Sequence, residues 1–61
     1  KVRELLKLLK DDGWYLVTTA GSHRHFKHPT KPGRVTVAGH LGEEVHPKTL
    51  KSILTQAGLQ K

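Results

Sequence analysis

Two apolar stripes at helical spacing, one near each end of a 61-residue chain, constrain its fold more than any other feature. Val2, Leu5, Leu6 and Leu9 recur along one side of a first helix, and Leu50, Ile53, Leu54 and Ala57 repeat the pattern in a second. Neither stripe can be buried by its own helix. The segments between them change period: residues 14–19 are aromatic and β-branched, residues 23–28 alternate around Phe26, and residues 34–38 alternate Val35 and Val37. Glycine and proline punctuate these runs at Ala20-Gly21-Ser22 and Pro29-Thr30-Lys31-Pro32-Gly33. The pattern predicts an α+β fold: helix, three-stranded antiparallel meander, helix, with both helices on one sheet face.

The first helix is expected over residues 2–12, with Arg3, Lys7 and Lys10 in water, Leu8 widening the stripe and Gly13 as the exit. Asp11 and Asp12 fall at the negative end of its dipole, which predicts fraying there. After a connector over residues 39–46, Pro47 opens the last helix, where its missing N–H costs nothing. Lys48 and Lys51 make its charged face, and Gly58 ends it.

Size and composition then limit what the chain can do. At 61 residues one domain, residues 1–61, buries only about 60% of the surface its unfolded chain exposes, so any active site must lie on the surface. There is no cysteine, hence no disulfide framework and no thiolate zinc site. No apolar run approaches the roughly 20 residues that span a bilayer, and residues 1–10 are amphipathic rather than a secretory core, so a cytoplasmic protein is expected. The net charge of +6 favours an anionic partner without specifying it.

The second strand supplies the specificity. If Phe26 faces the helices, His23, His25 and Lys27 face solvent, while Arg24 carries its stem along the core rim with its head in water. Lys31 and Arg34 extend the positive field across the hairpin, and Ser22 adds a hydroxyl beside His23. An imidazole titrating near neutrality can take a proton from a ribose 2'-hydroxyl or give one to a departing 5'-oxygen. Internal transfer at an RNA phosphate needs that proton traffic and donors for the growing charge, a role suited to Ser22, Arg24, His25 and Lys27. The same spacing also suits an ordinary polar strand residue at His23 and surface decoration at His25. His28, beside Pro29, is read as structural or exposed; His40 and His46 lie in the connector, folded back toward the sheet or idle. No metal site is expected, because His23 and His25 offer at most two ligands and no metal-binding helix motif is present. A serine hydrolase is excluded by context: Ser22 and His23 are adjacent, and no G-x-S-x-G elbow exists.

Leu5-Leu6-Lys7-Leu8-Leu9-Lys10-Asp11-Asp12-Gly13-Trp14, Gly21-Ser22-His23, Phe26 and residues 49–59 together resemble the HicA family of toxins from prokaryotic toxin-antitoxin systems. The resemblance covers essentially the whole chain. It implies a fold like the double-stranded RNA-binding domain and an endoribonuclease that cleaves messenger RNA without a metal, any other cofactor or the ribosome. It also implies silencing by a HicB-like antitoxin that covers the site. The family's essential histidine matches His23, with His25 and His40 as possible assistants. Ala38-Gly39-His40 stands where the family often has Pro-x-His, and Lys48-Thr49 where it often has Gly-Thr, so the connector geometry departs from the family pattern while His40 is kept. The competing class is a non-catalytic module that holds RNA or an acidic protein on the basic sheet face.

Overall fold

A computed structural model describes residues 1–59 and has the element order expected from the sequence. Helix α1 spans Val2–Asp11, strands β1, β2 and β3 span Tyr15–Ala20, His23–Lys27 and Val35–Val37, and helix α2 spans Pro47–Gln56. The strands form one antiparallel sheet in the order β1-β2-β3. The fold is α+β.

Both helices end in the same way. The amides of Gly13 and Trp14 return to the carbonyls of Lys10 and Leu9, and those of Gly58 and Leu59 return to Thr55 and Leu54. These are paired Schellman closures, in which a glycine at positive φ lets the next apolar residue fold back onto the last turn. Trp14 is therefore the seal of α1 rather than the first strand residue, and it is 2% exposed. Despite the unfavourable dipole end, the helix runs through Asp11. Asp12 caps the helix, and a cation from elsewhere in the chain answers its charge.

The core consists of Val2, Leu5 and Leu9 from α1, Trp14, Phe26 from β2, Val35 and Val37 from β3, and Ile53 and Ala57 from α2. Strand β1 contributes nothing to it. Tyr15, Leu16 and Val17 remain about half exposed, because the helices cover β2 and β3 and leave β1 as an open edge. A bulge at Val17 breaks the register: Leu16 pairs with Phe26, but Thr18 pairs with His25.

The β1–β2 connection is a two-residue loop, Gly21-Ser22, closed by the Ala20–His23 pair. Gly21 has φ +60° at the first loop position and Ser22 does not have positive φ, as a type II′ turn requires. The connector over residues 39–46 is tied down at both ends. Its Leu41 and Glu43 carbonyls accept from the first-turn amides of Arg3 and Val2, and His46 caps α2 by accepting at Nδ1 from the Lys48 amide.

Candidate nucleic-acid interface

The register assigns side chains to sheet faces, since directly paired residues share a face. Leu16, Phe26 and Val35 point one way, as do Thr19, Arg24 and Val37; this is the face the helices cover. His23, His25 and Lys27 lie on the other, with Ala20, Thr18, Tyr15 and Thr36 as their neighbours. That is the separation expected from the sequence.

His23 is exposed and sits opposite Ala20, the smallest side chain of β1, which leaves its ring open to an incoming group. His25 is roughly 7 Å further along the strand. It is half-buried between Thr18 and Thr36, and Thr36 Oγ1 lies 3.0 Å from its Nδ1, so the ring is oriented with Nε2 left for an external partner. Lys27 is exposed opposite Tyr15, and Arg34 is exposed just before β3. Ser22, in the turn, is half-buried.

Two of the expected phosphate contacts are engaged elsewhere. Arg24 is on the helix-covered face, and its Nη1 donates to the Gly39 carbonyl at 2.8 Å, which ties the connector to β2. Its half-buried head is thus anchored to the connector rather than free in water, as its stem alone suggested. Lys31 lies away from the open face: its ammonium donates to the Asp12 carboxylate and, at 2.9 Å, to the Ala57 carbonyl. It thereby joins the C-terminal caps of both helices. The Lys31 hydrogen bond, helped by the Lys31 charge, holds the Asp12 carboxyl below the usual carboxylate range against the opposing cost of burial. The buried Trp14 indole N–H, which makes no hydrogen bond among the described residues, adds the smallest share.

The other histidines are placed as follows. His28, 8% exposed, accepts at Nδ1 from the amides of Thr30 and Lys31, so its ring proton lies on Nε2 and is donated to the Asp12 carbonyl at 2.6 Å. Its ring meets Trp14 edge-on at 5.2 Å. His40 is 84% exposed, 3.9 Å from Glu43, and makes no hydrogen bond to His23 or His25. Among the described residues no cluster of three or more metal-ligating side chains exists.

The sequence pattern did not reveal the pairing of Thr36 with His25 or the polar row that α2 places beside the β3 edge. Lys48, Ser52 and Gln56 recur every four residues and form a polar ridge beside the apolar stripe. With Thr49, Ile53, Arg34 and Thr36 they line a cleft of about 430 Å³ at the β3 edge. The signal was present as a second period-four row, hidden because an exposed polar row on a helix is the ordinary case.

The charge is segregated as well. The five acidic residues are Glu4, Asp11, Asp12, Glu43 and Glu44, confined to α1, its cap and the connector. The strands and α2 contain none. Against this geometry, the family model for the HicA toxin of bacterial toxin-antitoxin systems matches residues 2–59. The chain belongs to the HicA family. No curated protein matches the sequence. Membership makes this chain a toxin-antitoxin protein, and an antitoxin partner follows from that. No helix of the described residues is long and apolar enough to cross a membrane.

Proposed function

We propose that this HicA-family chain is an endoribonuclease that cleaves messenger RNA by internal transfer at phosphate, with His23 moving the proton, and that it acts as a single domain over residues 1–61. In the first step the ribose 2'-oxygen gives its proton to a base and bonds to the adjacent phosphorus. The P–O5' bond breaks, and the leaving oxygen takes a proton. The products are a 2',3'-cyclic phosphate and a 5'-hydroxyl, and no water or cofactor enters this step. His23 suits the proton transfer because it is exposed beside a small neighbour on a carboxylate-free face. His25, oriented by Thr36, and Lys27 suit the charge growing on the phosphate oxygens. Arg34 and Ser22 flank this group, and His40, exposed in the connector, is a further candidate for assistance.

The observation that carries this reading is the three-residue row His23, His25 and Lys27 on the uncovered sheet face, in a chain whose family is a toxin family. A HicB-like antitoxin would silence the chain by covering that face, and both proteins would act in the cytoplasm. Incubating long unstructured RNA in chelator with the native protein and with His23→Ala tests the chemistry. Cleavage to cyclic phosphate ends that drops about a hundredfold or more in the variant, with RNA binding kept, is the expected result. Intact RNA in both samples with salt-sensitive binding would make the chain a binding module, and 5'-phosphate ends would remove internal transfer.

A further inference from the structure

The β3–α2 cleft lies outside the histidine row yet shares a residue with it. Thr36 lines the cleft and also holds His25 through its hydroxyl. Thr36, on the edge strand, thus stands between the histidine row and the α2 residues of the cleft.

The lining chemistry is specific. Arg34 and Lys48 supply two cations, Thr36, Thr49 and Ser52 supply hydroxyls, Gln56 supplies an amide, and Ile53 forms the apolar floor. No carboxylate lines it, and among the described residues none lies within 4 Å of Arg34 or Lys48. This sets the pair apart from Lys7 and Lys31, which are each bound to an aspartate. The ridge from Lys48 to Gln56 runs about 12 Å at 1.5 Å per residue, so the polar groups are spread along a groove. Hydroxyls and separated cations along a groove suit successive phosphates and sugars of one strand better than a single small anion, and without acids they offer nothing to a basic ligand.

We propose that the β3–α2 cleft is a second RNA-binding subsite, in which Lys48 and Arg34 take backbone phosphates flanking the cleaved one and Ser52 donates to the same backbone. The proposal rests on the nuclease reading only for which phosphate is cleaved. Its own content is that a single RNA strand occupies this groove.

The probe is a ten-residue 2'-O-methyl oligoribonucleotide, which lacks the attacking hydroxyl and so reports binding alone. Its affinity is measured by fluorescence anisotropy over a salt series for the native protein, Lys48→Gln, Ser52→Asp and Lys51→Gln, with melting temperatures confirming the fold. Lys51 is on the same helix but outside the cleft, and its substitution changes net charge as Lys48→Gln does. Lys48→Gln is expected to weaken binding several-fold and to reduce the log K against log salt slope by about 0.7, one single-strand phosphate contact. Ser52→Asp is expected to weaken it tenfold or more, and Lys51→Gln to do much less.

Equal losses from Lys48→Gln and Lys51→Gln would overturn the proposal, leaving only net charge. So would unchanged RNA affinity in folded Lys48→Gln and Ser52→Asp proteins, including the case in which those variants lose the antitoxin instead. The nuclease reading fails separately: cleft-dependent oligonucleotide binding by a protein that cleaves nothing would leave the subsite standing.

Discussion

The open face of strand β2 and the loop that follows it both carry histidine and lysine, and they use them in opposite ways. Beyond the C-terminal end of β2, His28 and Lys31 are folded inward and satisfied: the ring binds the Asp12 carbonyl and two loop amides, and the ammonium binds the Asp12 carboxylate and the Ala57 carbonyl. On its open face, His23 and Lys27 have no carboxylate beside them among the described residues, and His25 is only steered by a threonine. The residue types are the same. What differs is the neighbourhood: a helix C-terminus with exposed carbonyls and an aspartate makes a cation structural, while a strand face without acids leaves it available to an external anion.

The largest effect on this contrast should come from His28→Ala, which leaves the Asp12 carbonyl and two loop amides without their partner and opens a void against Trp14. A cost of about 3 kcal/mol is expected. For a domain of this size that lowers Tm by roughly 12–24 °C, measurable by circular dichroism. A drop below about 4 °C would mean the ring is not holding the loop. His23→Ala should leave Tm within a few degrees.

Thr18→Glu would convert the open face toward the closed kind by placing a carboxylate directly opposite His25. RNA affinity should fall about tenfold at low salt while the fold survives, since exposed strand positions tolerate such changes. Unchanged affinity would show that His25 is not facing RNA.

Lys31→Met and Lys27→Met sharpen the comparison as a pair. The first should lower Tm by several degrees and leave the salt dependence of RNA binding alone. The second should leave Tm nearly unchanged and reduce the salt slope by about 0.7. A reversed outcome would exchange their roles.

Acid dependence is the smallest effect. Asp12 is held below its ordinary value by Lys31, so its stabilising contribution is fully present above about pH 4, where the unfolded carboxylate is ionised, and is lost as pH falls through the folded value. Asp12→Asn should therefore melt at a lower temperature than the native protein at neutral pH, with the two curves converging in acid. Parallel curves would show that the Lys31 contact adds nothing.

Much of this was legible in the sequence. The stripes of α1 and α2, the turn at Gly21-Ser22 and the alternation about Phe26 are local patterns, and each placed its element to within two residues. Trp14 was misplaced by one role, because an aromatic residue before a β-branched run looks like strand until the amide returns to Leu9. Arg24 and Lys31 looked like phosphate contacts because an isolated cation carries no sign of its partner. Those partners, Gly39 for Arg24 and Asp12 with Ala57 for Lys31, lie 15 to 26 residues away.

The sequence alone therefore determined the order of elements and the face on which His23, His25 and Lys27 stand, because both follow from periods of 3.6 and 2 within single segments. Only the tertiary structure decided which cations remain open to an anion. Whether a lysine meets a carboxylate depends on which distant loop, helix end or sheet edge the packing brings beside it. In this chain that packing closes the loop over residues 28–34 onto the ends of both helices and leaves the β3–α2 cleft, among the described residues, free of acids.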